Sequence, residues 1–360
     1  MRRAGPCGLF AALALALALL PGWGGRDLEL ATQFALTPRQ LAGLRVAAGF
    51  EGRKPPAQLK RMVSRGEIAG VILFSDNVGG RKAVLALTRK LQAIPRPAAV
   101  DEPLLVMVDQ EGGLVRRLPG PPKPSAAEVG PRGAAFARKL GRATGESLAG
   151  MGINVNLAPV LDVARRGGFI DDQQRAYGHK PGPVGKVGSA FAAGMEAEGI
   201  AATAKHFPGL GAANRTTDES PVKLRLSRSK LRHVDEAPYA DFIAAGGSLV
   251  MLSMAAYPAL GSGPAALSKA VARRELRRHV GFGGVSITDA LGTPAAAAVG
   301  GTAKVAVRAA KAGSDLLLYS DLGSAARASL AVRRAIAGGS LPGGRAQKAA
   351  DRVLSLRRGL

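Results

Sequence analysis

A lysine and a histidine stand side by side at Lys205-His206, closing the apolar run Gly199-Ile200-Ala201-Ala202-Thr203-Ala204 and followed by Phe207-Pro208-Gly209. An apolar run that ends in adjacent polar side chains and then reverses at Pro and Gly is how a parallel barrel presents functional groups at its C-terminal rim. Two other runs end in a carboxylate: Val106-Met107-Val108 leads into Asp109, and Val285-Ser286-Ile287-Thr288 leads into Asp289. A long loop after a fourth run carries Arg175 and Tyr177. On one barrel these termini share a rim, so Asp109, Arg175, Lys205, His206 and Asp289 would converge around one pocket. Two carboxylates among cationic neighbours, without metal-ligand spacing, suit sugar chemistry. One carboxylate can act as a nucleophile, another can hold hydroxyls, and Lys, Arg and His can donate to the remaining oxygens. A Schiff base on Lys205 is a competing chemistry for such a rim, but it leaves the Asp289 motif without a role.

The elements that must position these groups recur along the chain. Short apolar runs occur at 44–50, 69–75, 103–109, 154–163, 201–207, 248–255, 284–290 and 315–320. Amphipathic stretches rich in Ala, Leu, Lys and Arg lie between them, as at 132–151, 184–198, 227–245 and 303–313. Strand alternating with helix about eight times favours an α/β chain folded as a single TIM-type (β/α)8 barrel over 30–360. An open doubly wound sheet is disfavoured, because Gly112-Gly113 after Glu111 lacks the spacing of a phosphate-binding fingerprint. Those glycines are expected to let the backbone pass close to a substrate.

With 360 residues, 47% of them hydrophobic and only 4% aromatic, the chain can bury a large aliphatic core. The formal net charge of +24 invites a nucleic-acid partner. Against that, Lys and Arg are scattered without a sustained basic block or interleaved aromatics, and one Cys cannot build a zinc finger. At the N-terminus, Arg2 and Arg3 precede an apolar stretch from Leu9 to Leu20, followed by Pro21-Gly22-Trp23-Gly24-Gly25. Residues 1–25 therefore read as a secretory signal or N-terminal anchor, too short to span a bilayer comfortably. Cys7 precedes the apolar stretch, so a chain cut after it would hold no cysteine and need no disulfide. His179, His233 and His279 lie in basic surroundings without ligand spacing and read as surface groups, while Asp162 reads as ordering its own loop and Asp315 as capping the last strand.

Four segments then carry a resemblance. Asp109-Gln110-Glu111-Gly112-Gly113-Leu114-Val115-Arg116-Arg117, the stretch from Gly152 to Val163, Lys205-His206-Phe207-Pro208-Gly209 and Ile287-Thr288-Asp289-Ala290-Leu291 occur in that order. They resemble the N-terminal barrel domain of glycoside hydrolase family 3, especially its single-domain bacterial β-N-acetylhexosaminidases, from about Leu36 to the C-terminus. The resemblance implies a retaining double displacement on an oligosaccharide or glycoside, with no metal or organic cofactor. It points to a secreted, cell-wall-associated monomer acting on cell-wall or chitin-type fragments, not inserted in the membrane after export. Carried over by position, Asp289 would be the nucleophile, kept ionised by Lys205 and Arg175. Asp109, Arg175, Lys205 and His206 would hold the hydroxyls of the sugar before the scissile bond.

One departure from the family pattern matters. Hexosaminidases of this group place an Asp-Ser-His triplet after Lys-His-Phe-Pro-Gly, with its His as acid/base. Here Thr216 and Thr217 stand for the Asp and Ser, and Asp218 stands for the His. Asp218 or Glu219 would then serve as a carboxylic acid/base. The alternative is a sugar-binding relative that kept the pocket and lost the acid.

Overall fold

Each of the eight apolar runs contributes one strand, and every residue in those strands is buried, so they read as unbroken apolar stretches with no alternation. The computed structural model describes residues 36–360, so the leader reading of residues 1–25 lies outside the described residues. The barrel strands are β1 (Val46–Ala48), β2 (Gly70–Leu73), β3 (Leu105–Val108) and β4 (Val155–Asn156), followed by β5 (Ala201–Phe207), β6 (Leu249–Leu252), β7 (Val285–Thr288) and β8 (Leu317–Tyr319). Consecutive strands pair in parallel from β1 through β7, and β8 pairs with β1, Val46 opposite Leu317. A parallel bridge between Ile287 and Leu316 closes the ring between β7 and β8. A TIM-type barrel is the result.

Helices cover the outside where the amphipathic stretches lie, at Gly133–Ala149, Pro181–Glu196, Thr302–Ala312, Leu322–Ala337 and Gly343–Arg358, among others. The first two approach so closely that a Cβ on Gly141 would lie 2.1 Å from the Phe191 carbonyl oxygen, and one on Gly194 2.3 Å from that of Arg138. Glycine is required there for packing. The stretch 227–245 departs from a single helix: it breaks into Arg228–Lys230, a π-helical turn Leu231–Asp235 and a helix Pro238–Ala244. Pro238 cannot donate a backbone hydrogen bond and therefore starts the second helix.

The N-terminal end of the strands holds a second set of buried charges. Asp315, fully buried just before β8, accepts from Arg352 Nη2 at 2.7 Å, Arg277 Nη2 at 2.5 Å and the Ser286 backbone at 2.9 Å. It therefore ties β7 and two helical segments together, a larger role than capping one strand. Arg45, 1% exposed, donates from Nη2 to the carbonyls of Ser314 and Ala310 nearby. Removing one member of such a cluster leaves buried charge uncompensated, which costs about 3–5 kcal/mol. Asp315→Ala should therefore lower unfolding free energy by about that amount in urea titration. Because the cluster lies at the opposite end from the strand-end site described below, ligand affinity of the folded fraction should be unchanged.

Candidate active site

At the other end of the barrel, Asp109, Glu111, Arg175, Lys205, His206, Asp218, Glu219 and Asp289 all line one cavity of about 380 Å³. Every candidate site residue expected from the sequence is in it, joined by Glu111, Arg117 and Thr217. Lys205 and His206 are adjacent in β5, and successive strand residues normally face opposite ways. Between Ala204 and Phe207 the register against β6 slips, three residues of β5 opposing two of β6. Such a bulge re-aims side chains, and here both polar groups line the cavity.

Four charges interlock beneath the cavity. Lys205 Nζ lies 2.6 Å from Asp109 Oδ1 and 2.7 Å from Glu111 Oε1. Arg175 grips Glu111 in a two-pronged pair, Nε to Oε2 at 2.8 Å and Nη2 to Oε1 at 2.8 Å. Burial alone would raise the Glu111 carboxyl, but Arg175 and Lys205 outweigh it and hold the group well below the usual carboxylate range. Lys205 is the mirror case: burial opposes its charge, yet Asp109 and Glu111 raise its pKa above the ordinary lysine value. The cluster thus sets two carboxylates against two cations, and Asp109 is its most exposed member at 18% of the side chain. Its Oδ2 makes no hydrogen bond among the described residues, which leaves an acceptor for a ligand hydroxyl.

Glu111 had no assigned role on sequence grounds. It follows Asp109 by two residues, and in extended chain that spacing places both on one face, the signal that could have found it. The glycines after it act differently from expectation. Gly112 adopts φ 108°, and a Cβ there would lie 2.2 Å from the Pro124 carbonyl oxygen, while one on Gly113 would lie 2.9 Å from the Ser125 side chain. They turn the hairpin Gln110–Gly112/Val115–Arg116 tightly over 122–125, and neither lines the cavity.

Asp162 is fully buried and accepts from the backbone of Leu210 at 2.6 Å and of His206 at 3.2 Å, which orders the loop after β5. Its other oxygen meets His206 Nδ1 at 2.7 Å. A carboxylate only accepts, so the proton sits on Nδ1, and Nε2 is the nitrogen left for the cavity. A second anchor, Arg165 to the fully buried Asp235 at 2.8 Å, pins the same region from the following helical turn.

Asp289 closes β7. Its backbone N–H donates to Leu252 of β6 at 2.9 Å, and Leu291 donates to Leu318 of β8 at 2.9 Å, so the residue hangs between both neighbouring strands. Its Oδ1 accepts from the Ala290 backbone at 2.8 Å, whereas Oδ2 has only a 3.4 Å contact from Thr217 Oγ1. The carboxyl titrates above the ordinary aspartate value, first because of burial and then because of the like charge on Asp218, with His206 and Lys205 opposing. This corrects the expectation that Lys205 and Arg175 hold it low: Arg175 is engaged by Glu111. Asp218 and Glu219 are exposed on the loop, without side-chain partners among the described residues, and they face the same cavity. The guanidinium of Arg117 also makes no hydrogen bond there, and its Nε is buried.

A barrel with carboxylates and cations gathered at its strand ends is matched at residues 36–356 by the family model described as the glycosyl hydrolase family 3 N terminal domain. The chain belongs to that family. It is therefore a glycoside hydrolase with a carbohydrate substrate. A protein named as an uncharacterized secreted glycosyl hydrolase from Arthroderma benhamiae is 41% identical over 287 residues, 78% of this chain and 81% of that one. Among solved structures, a family 3 β-N-acetylglucosaminidase from Paenibacillus superposes with a TM-score of 0.85 at 32% identity, covering 90% of this chain. This chain spans 63% of that protein's length. A β-N-acetylhexosaminidase from Beutenbergia cavernae gives 0.83 at 30% identity, covering 90% of this chain and 99% of its own.

Two outcomes follow for this family 3 barrel. Glu111→Ala removes the shared counter-ion of Arg175 and Lys205, so unfolding free energy should fall by about 3–5 kcal/mol, read in denaturant titration. Asp218→Asn removes a like charge that raises Asp289, so the Asp289 pKa should fall. If turnover needs ionised Asp289, the acidic limb of kcat/KM on an activated aryl glycoside should move to lower pH. An unmoved limb would show that Asp218 does not feel Asp289.

Proposed function

We propose that the chain is an exported retaining β-N-acetylhexosaminidase acting on cell-wall or chitin-type fragments through a glycosyl-enzyme on Asp289. The observation that carries the mechanism is the Asp289 carboxylate: one oxygen is fixed by the Ala290 N–H, and the other is nearly free in a cavity walled by Asp109, Lys205 and His206. The glycone sits with its hydroxyls on Asp109, Lys205, Arg175 and His206. Asp289 Oδ2 attacks the anomeric carbon as the glycosidic C–O bond breaks, and Asp218 gives its proton to the departing oxygen. Asp218, now a carboxylate, takes a proton from water, whose oxygen attacks the same carbon and releases Asp289. Glu219, its neighbour on the loop, is the second candidate for the acid. The aminosugar preference is supported by the printed names of the Paenibacillus and Beutenbergia relatives. Export is supported by the leader-like residues 1–25 and by the secreted relative from Arthroderma. Among the described residues, no helix is long and apolar enough to cross a membrane.

On a panel of nitrophenyl glycosides, the β-N-acetylglucosaminide should be turned over fastest. Asp289→Asn should lower kcat on the order of 10⁴-fold. A fluorinated glycoside that traps the intermediate should label Asp289, and label on any other residue rejects the assignment. Asp218→Ala should reduce turnover of poor leaving groups by about 10²–10⁴ while sparing dinitrophenyl glycosides, which need little acid assistance. Saccharide binding without turnover of either class would sink the enzymatic reading.

A further inference from the structure

Away from the sugar cavity, Glu236, Glu275 and His279 bring one ligand atom each within 4.8 Å of one another. Glu236 follows the π-helical turn Leu231–Asp235, and Glu275 and His279 lie four residues apart in the helical segment Ala270–His279. Two features set this group apart from a solvated acidic cluster. Glu236 is only 2% exposed, and neither of its carboxylate oxygens has a hydrogen-bond partner among the described residues. Glu275 is fully buried beside it. A buried carboxylate without donors is costly, and a second carboxylate at this range adds to the cost. A proton on Glu236 relieves that cost, and so would a cation shared between the two carboxylates.

The two nearby guanidiniums do not fill that role for Glu236. Arg232 and Arg274 both engage Glu275, at 2.8 Å on Oε2 and 3.0 Å on Oε1, and neither reaches Glu236 by a hydrogen bond or ion pair. Each Glu275 oxygen keeps a second lone pair, since a carboxylate offers about four acceptor positions. Arg274, with 47% of its side chain exposed, can turn into water when a stronger cation arrives. His279 is exposed at the rim of the group, with an imidazole that can close over it.

We propose that Glu236, Glu275 and His279 form a binding site for a divalent transition-metal ion such as Zn²⁺, which clamps the turn after Leu231 to the Ala270–His279 segment. Two carboxylates and an imidazole are a borderline donor set suited to Zn²⁺, with water completing four-coordination. Metal–ligand bonds of about 2.0–2.1 Å place tetrahedral donors roughly 3.3 Å apart, so the three groups draw together on binding. His279, at the exposed end, makes most of that movement. The site is structural: Asp235, one residue before Glu236, holds Arg165 and through it the loop beside the sugar cavity.

The test uses the full chain, stripped with a chelator and exchanged into metal-free buffer. Zn²⁺ should bind with one-to-one stoichiometry in calorimetry and raise Tm by several degrees at a hundredfold excess over Kd. His279→Ala, a surface change, and Glu236→Gln, a near-isosteric one, should each weaken Zn²⁺ binding by tenfold or more. Asp289→Asn should leave it unchanged, which separates this site from the carboxylates of the sugar cavity. Co²⁺ should give a visible absorption band that His279→Ala abolishes. Zn²⁺ binding of equal strength in wild type, His279→Ala and Glu236→Gln, or no binding in wild type, overturns the proposal.

Discussion

Four charges under the cavity floor, Asp109, Glu111, Lys205 and Arg175, carry most of the site's geometry. Each ion on its own would be expensive to bury, and together they set two carboxylates against two cations, hydrogen-bonded at 2.6–2.8 Å. They come from three separate parts of the chain: the end of β3 and its hairpin, the long loop after β4, and the bulge in β5. Because the pairing satisfies the cluster internally, its outer member can present an acceptor to a sugar without any group having to reorganise. Under the proposed function, the acceptor for a sugar hydroxyl is thus set in place by the fold itself, as stabilising a transition state requires.

The Asp289 position is built by the opposite means. Among the described residues, Asp289 has no cation within ion-pair distance; it is held by one backbone N–H, one distant hydroxyl and two flanking strands. A carboxylate outside any salt bridge and raised above its normal value by burial is more basic than one locked in an ion pair. The cavity therefore treats its acidic side chains in two ways: strong pairing for Glu111, and weak pairing for Asp289, the residue we propose as nucleophile. Thr216, Thr217, Asp218 and Glu219 complete the wall on the leaving-group side from a loop whose base is fixed by Asp162 and Asp235.

Strand ends and their terminal side chains were legible in the residue order, because a strand buried on both faces is an unbroken apolar run and its first polar residue marks the rim. That is why the eight strands can be read from the sequence, and why Asp109, Lys205, His206 and Asp289 mark strand ends that line one cavity. Partnership was less legible. Glu111 and Arg175 lie 64 residues apart, and nothing in composition announces that they pair. Arg175 was consequently assigned to Asp289, and the sign of the Asp289 shift was misjudged with it. The hairpin glycines were misread for a related reason: the obstruction that excludes a side chain at Gly112 is the chain's own Pro124 carbonyl, not a ligand. The kink at Pro238 was visible as a proline but was absorbed into one long amphipathic stretch.

The ring itself closes between β7 and β8 at the Ile287–Leu316 bridge and the backbone hydrogen bonds around it, and β1 meets β8 across some 270 residues of chain, Val46 against Leu317. Asp289 sits at that seam, with its flanking backbone tied on one side to β6 and on the other to β8. Such pairing is among the most non-local a chain this size can make, and loop-closure entropy must be overcome before it forms. The Asp289 end of β7 needs only β6 and β8, where Leu252 and Leu318 lie nearby in the chain, whereas closing the ring needs the first and last strands to meet. The rim around Asp289 and the closure of the ring are thus separate demands on the chain, one met between neighbouring strands and the other only when its two ends pair.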